Sequence, residues 1–154
     1  MGRFLYLSIL LLAACSTVKK PQKTEGRDIK LESCSWTLRE LNGVAVSVPQ
    51  GGKSLFLDFS KGNNMLLGNG GCNAMNGMYT VHDDLIKLQV LSKTERTCSE
   101  DAMNMQETSF YKMMDETDRY KISSKHRDGV KKEYLELYKD KKKLALFEAD
   151  SIVP

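Results

Sequence analysis

Histidine is almost missing from this chain, and its scarcity narrows the available chemistry. Only His82 and His126 occur among 154 residues, so few side chains can serve as a general base near neutral pH. No CxxC pair and no HxxxH pair occurs, which removes the local spacing that most structural zinc sites use. A membrane-spanning helix needs about 20 consecutive apolar residues. The N-terminal apolar stretch from Phe4 to Ala14 has eleven positions, so it is too short to remain as a span. Strong charge of either sign is also missing: 23 Lys and Arg stand against 20 Asp and Glu, for a formal net charge of +3. That balance is too mild to argue for a nucleic-acid partner. There is no internal repeat and no low-complexity domain.

What is present begins with an address. Arg3, the apolar run Phe4 to Leu12 and the small residues Ala13 and Ala14 before Cys15 form the pattern of a secretory signal. Leu12-Ala13-Ala14-Cys15 resembles the lipobox of bacterial lipoproteins, in which the cysteine becomes the lipid-modified first residue after cleavage. The competing reading is an ordinary signal peptide with Cys15 lying near the cut by chance. The resemblance implies several acyl chains on Cys15, enough for stable anchoring where one chain is marginal. Ser16 at the next position implies sorting to the outer membrane, facing the periplasm.

Residues 1–14 are therefore expected to be the signal peptide, and 15–30 the lipidated cysteine with a polar, lysine-bearing tether. Residues 31–150 are expected to be one domain with a real core. Removing residues 1–14 takes away only Arg3, so the charge falls from +3 to +2.

Within 31–150 the dominant signal is short alternating segments separated by turn residues. Ser35 to Leu41 reads as a strand, Asn42-Gly43 is a strong hairpin signal, and Val44 to Val48 reads as the returning strand. Trp36 is expected to be buried. Segments at Ser54 to Phe59, Asn64 to Gly68, Gly77 to Val81 and Leu85 to Leu91 follow at similar intervals, and Tyr120 to Ser123, Glu133 to Tyr138 and Leu144 to Phe147 come later. Lys139-Asp-Lys-Lys-Lys143 reads as a solvated hairpin turn between the last two. One interval switches period: Ser99 can cap a helix, Glu100 and Asp101 suit its N-terminal end, and Met103, Phe110 and Met114, with Glu107 between them, mark one face. The methionines read as core. The fold class is α+β, mainly β: a compact, barrel-like antiparallel sheet of about eight short strands with one helix.

The stretch Gly68-Asn-Gly-Gly-Cys-Asn-Ala-Met-Asn-Gly-Met-Tyr79 concentrates the chain's unusual residues. A phosphate loop would end its glycines with Lys and Ser or Thr and then enter a helix. This stretch does neither. A nucleophilic Cys72 would need His82 or His126 within reach, yet both sit in charged, turn-like surroundings. A zinc site assembled from Cys34, Cys72, Cys98 and a histidine is a further reading. An exported chain meets an oxidising compartment, however, where neighbouring thiols pair.

Trp36-x-Leu38 with Asn42-Gly43, Phe59, Gly68-Asn-Gly-Gly-Cys-Asn73 with Gly77 and Tyr79, Ser92-x-Thr94-x-x-x-Cys98, and then Glu107 and Phe110, resemble the META domain of HslJ-type lipoproteins over roughly residues 33 to 148. GGCN followed by GxY is the most specific part. The resemblance implies a barrel-like antiparallel sheet crossed by one helix, and it implies no known reaction.

Cys34 has no place in the pattern, and Lys125 to Lys132 is a charged insert expected to lengthen a loop. The expected disulfide joins Cys72 to Cys98, stapling the helix start to the glycine turn, while Cys34 stays free or pairs between molecules. No catalytic residue, cofactor or metal is expected. The leading expectation is a non-enzymatic, membrane-anchored envelope lipoprotein with an interaction or stress-tolerance role. Its partners would be the membrane, through Cys15, and an envelope protein or small ligand. The alternatives are a small-ligand or peptide-binding barrel in the periplasm and an enzyme using Cys72 or Cys98.

Overall fold

The structure is a computed structural model and describes residues 30–48, 53–98, 100–127 and 129–150. The signal, Cys15 and most of the expected tether lie outside these residues, as does Ser99. Among the described residues nine antiparallel strands form a single sheet: β1 (Ser35–Leu41), β2 (Val44–Ala45), β3 (Phe56–Phe59), β4 (Met65–Asn69), β5 (Ala74–His82), β6 (Leu85–Lys93), β7 (Arg119–Arg127), β8 (Val130–Lys139) and β9 (Lys142–Ala149). One helix, α1 (Asp101–Glu116), separates β6 from β7.

Each strand pairs with its sequence neighbour except around β2, which hangs on β1 as a short hairpin arm while β1 passes on to β3. The first and last long strands also pair, Trp36 opposite Ala149 and Leu41 opposite Ala145, so the sheet returns on itself as a ring. A ring removes most of the unpaired edge that an open sheet would present. The weakest junction is between β6 and β7, which share one residue pair, Leu85 with Arg119. The mainly-β expectation holds, with nine strands in place of about eight.

Local chemistry explains the hairpins. Asn42 and Gly43 take φ of 51° and 80°, the left-handed pair that a two-residue turn needs to match strand twist. Asp83 and Asp140 make the same positive-φ turn entry at φ of 55° and 52°, and aspartate tolerates it because its short side chain can bond locally.

Two expectations are corrected. The strand expected over Val44 to Val48 stops at Ala45. The insert Lys125 to Lys132 mostly extends paired strands instead of a loop: Lys125 stands opposite Lys132, and Arg127 opposite Val130. The Lys125, His126 and Lys131 side chains are exposed on the hairpin, so the polarity that reads as loop is compatible with the ladder.

The ring's interior is filled. Trp36, Phe110 and Phe147 are each 0% exposed, and they pack with Leu57, Leu66, Leu135, Leu137, Met113 and Met114 in one cluster. Trp36 also satisfies its buried ring N–H, which donates to the Leu31 carbonyl at 2.8 Å. Helix α1 faces this cluster through Glu107, Phe110, Met113 and Met114. Met103, expected on that face, is only half-buried because it lies in the first turn.

Candidate functional site

The glycine and cysteine stretch spans the junction of β4 and β5, where Gly70 to Asn73 form the turn. Gly71 holds φ of 110°, a conformation that side chains rarely adopt, and its N–H donates to Asn69 Oδ1 at 2.7 Å. The Gly70 N–H donates to the Asn73 carbonyl at 3.0 Å and closes the turn.

Asn73 is the centre of the arrangement. Its backbone N–H donates to Glu107 Oε1 at 2.7 Å, and its Nδ2 donates to Glu107 Oε2 at 2.7 Å and to the Arg96 carbonyl at 3.1 Å. Its Oδ1 accepts from Thr94 Oγ1 at 2.8 Å and from the Arg96 N–H at 2.7 Å. The Tyr111 hydroxyl donates to its carbonyl at 3.4 Å. One side chain therefore ties the start of β5, the segment after β6 and helix α1 into a single knot. Every donor and acceptor of Asn73 is engaged, as a buried polar group requires.

Glu107 is only 7% exposed, and its bonds to Asn73 are charge-assisted. Among the described residues no lysine or arginine pairs with this carboxylate. Tyr111 lies alongside, with Lys93 Nζ 4.6 Å from its ring centre. Burial, with the Glu107 charge in second place, pushes the Tyr111 hydroxyl up to about 12, so it stays protonated and donates.

The cysteines fall as expected around this knot. Cys72 and Cys98 are bonded, with Cα atoms 5.8 Å apart and a sequence separation of 26, and Cys34 is free. Burial, and then the charges of Asp150, Asp58 and Glu133, push the Cys34 thiol up to about 11, far from a reactive thiolate. The structure does not bring Cys34 into a zinc set with the other two. Instead, the sulfurs of Cys72 and Cys98 and the carboxylate of Glu107 lie within 4.8 Å of one another. His82 is exposed at the β5–β6 turn, 3.3 Å from Asp83, and His126 is exposed on β7.

Asn73 was visible in the sequence as a turn residue, but its role as a hub was not. The available signal was an acidic residue, Glu107, on the apolar face of a helix, because a carboxylate placed there must find donors from another element.

Several surface grooves accompany the filled interior. One of about 530 Å³ is lined by Leu31, Glu32, Val81, Tyr120 and Ile122 near the β6–β7 junction. Another of about 290 Å³ lies between the β1–β2 arm and α1, beside Val44 and Met105, which are 69% and 71% exposed. Among the described residues no helix is long and apolar enough to cross a membrane.

Two solved structures share the fold. An NMR structure of a protein from Burkholderia xenovorans is 22% identical, covers 79% of this chain and 84% of its own, and superposes with a TM-score of 0.57. A second NMR structure is 16% identical, covers 80% of this chain and 95% of its own, and gives 0.56. No curated protein matches the chain. The family model of the META domain matches residues 29–151, a span that takes in the whole sheet, the helix and the Asn73 knot, and the chain belongs to the META domain family.

Proposed function

We propose that this protein is a lipid-anchored lipoprotein of the bacterial cell envelope, held at the outer membrane and facing the periplasm. Its META domain would act there without catalysis, through interaction or in stress tolerance. The observation that carries the reading is Leu12-Ala13-Ala14-Cys15 closing an eleven-position apolar stretch, followed by polar residues up to the folded domain. The role of the domain is supported by how its unusual residues are used. Gly70, Gly71, Asn73, Cys72 and Cys98 are consumed in fastening one turn to one helix. A ligand-binding reading would have to use a surface groove, since the ring's interior positions are taken by Trp36, Phe110, Phe147 and their neighbours.

The deciding experiment is metabolic labelling with a fatty acid in a bacterial host. Wild type should incorporate label and appear in the membrane fraction, whereas Cys15→Ser should incorporate none and remain unprocessed while the META domain still folds. Equal labelling of the two forms would rule the anchor out.

A further inference from the structure

Glu107 is the least explained charge among the described residues. It is nine-tenths buried, it has no cationic partner among the described residues, and it sits against two sulfurs. A buried carboxylate is ordinarily paired with a cation, coordinated to a metal or neutralised. Asn73 occupies one lone-pair site on each carboxylate oxygen and leaves one on each available. We propose that when the Cys72–Cys98 bond is reduced, Cys72 Sγ, Cys98 Sγ and the Glu107 carboxylate form a three-ligand site for a zinc-class divalent cation, with the fourth position open to water.

The chemistry balances with a dithiol as the reductant. A thiolate of the dithiol attacks Cys72 Sγ, which is half-buried and the more accessible sulfur, since Cys98 is 7% exposed. The Cys72–Cys98 bond breaks, a mixed disulfide forms, and the pair of electrons leaves on Cys98 Sγ. The second thiol of the reductant then displaces Cys72, so the dithiol ends as a disulfide and the protein holds two thiols. Metal binding releases their two protons to solvent.

Geometry and charge both fit. Tetrahedral zinc with bonds of about 2.3 Å to sulfur and about 2.1 Å to oxygen needs its ligand atoms roughly 3.5 to 3.8 Å apart. The three ligand atoms already lie within 4.8 Å, and the Cα atoms of the two cysteines are 5.8 Å apart. The two sulfurs have to separate, and the sulfur-to-carboxylate distances have to settle at about 3.6 Å. With the disulfide closed, the buried cluster carries the single negative charge of Glu107. With two thiolates, the carboxylate and a divalent cation, it again carries one. Two thiolates without metal would instead place three negative charges in a partly buried cluster, so reduction favours capture of a cation. The motif carries no CxxC, which is why spacing alone did not show the set: its members come from the β4–β5 turn, the segment before α1 and the second turn of α1.

The experiment uses the full-length chain, reduced anaerobically with a phosphine so that no added thiol competes for metal, and titrated with cobalt(II). Reduced wild type should bind one equivalent, with sulfur-to-cobalt charge-transfer absorption and tetrahedral visible bands that zinc(II) abolishes. The oxidised protein and Cys72→Ser/Cys98→Ser should show neither. Glu107→Gln should bind at least tenfold more weakly. Equal absorption in the reduced wild type and the double serine variant would overturn the site, and an unchanged affinity in Glu107→Gln would overturn the carboxylate's place in it. X-ray absorption of zinc-loaded wild type keeps the test independent of any variant's folding. Two sulfurs at about 2.3 Å with lighter ligands support the site, and a shell without sulfur sinks it. Where reduction alone unfolds the chain, recovery of the native circular dichroism on adding zinc supports the proposal, and failure to recover overturns it.

Discussion

Asn73 shows how far one side chain can organise a small domain. Its carboxamide serves Thr94, Arg96 and Glu107 at once, so Asn73→Ala would leave the buried Glu107 carboxylate short of a donor and the part-buried Arg96 N–H without its acceptor. Unsatisfied buried groups cost about 1 to 3 kcal/mol each, more when charged, and relaxation recovers part of that. The expected loss is about 3 to 4 kcal/mol by urea denaturation, and a loss below about 1 kcal/mol would mean that water replaces the amide without strain. Asn73→Asp sharpens the point, because it sets a second carboxylate against Glu107. That pair raises the affinity of the folded state for a proton, so the variant should be weakest near neutral pH and regain stability as the pH falls through the raised value. Thermal melts at pH 7 and pH 5 would show the recovery, and an equal or larger deficit at pH 5 would contradict it. In the sequence, GGCN was readable as a turn with a crosslinking cysteine. The carboxylate it serves lies 34 residues further on, and no local pattern expresses that distance.

At the scale of elements, the strands and the helix were readable because their periods differ. Alternation in Ser35 to Leu41 places Trp36 and Leu38 inward, and the 3.6-residue spacing of Phe110 and Met114 places both inside. Trp36→Ala and Phe110→Ala should each cost about 3 to 5 kcal/mol, as deletion of fully buried aromatics does. Chemical denaturation measures both, and a loss under about 1 kcal/mol at either site would contradict its complete burial. Element ends were less readable for a physical reason: they are decided by partners. The returning strand after Asn42-Gly43 ends at Ala45 where β3 takes over the pairing of β1, whereas Lys125 to Lys132 stays paired because β7 and β8 support each other along their full length. Gly77 makes the same point at a bulge in the β5–β6 ladder. A Cβ there would sit 2.2 Å from the Gln89 carbonyl oxygen, a constraint set wholly by the neighbouring strand.

The whole molecule is a ring whose seams differ. β1 and β9 share a ladder interrupted by one register shift, but β6 meets β7 at a single pair, reinforced by hydrogen bonds from Ile86 N to the Asp118 carbonyl and from Tyr120 N to the Asp84 carbonyl, each at 3.0 Å. One side-chain ion pair crosses this weak seam, and the Asp118 carboxylate beside it is tied to the β8–β9 turn. Arg119 Nη1 lies 2.6 Å from Asp84 Oδ2, while Asp118 accepts from Lys139 Nζ and from the Asp140 N–H, each at 2.9 Å. The Lys139 bond, with the Asp140 amide, holds the Asp118 carboxyl below the usual carboxylate range. On the next hairpin, burial pushes the Glu133 carboxyl up, but the bonds from Lys131 and Ser124 outweigh it and leave the group lowered. A carboxyl whose folded value is depressed binds its proton more readily in the unfolded chain. Its contribution is therefore complete above the unfolded value of about 4 and is lost as the pH falls through the lower folded value. The melting temperature should stay nearly level from pH 7 to about 5 and then drop steeply below about 4. Asp118→Asn retains the shape of the side chain but not its charge, so it should melt lower at pH 7 and show a shallower acid drop. It should also speed amide hydrogen exchange at Ile86 and Tyr120 ahead of the β1–β9 ladder, because opening of a closed sheet starts at its least paired seam. Exchange that rises first along β1 and β9 would place the weak seam on the other side of the ring.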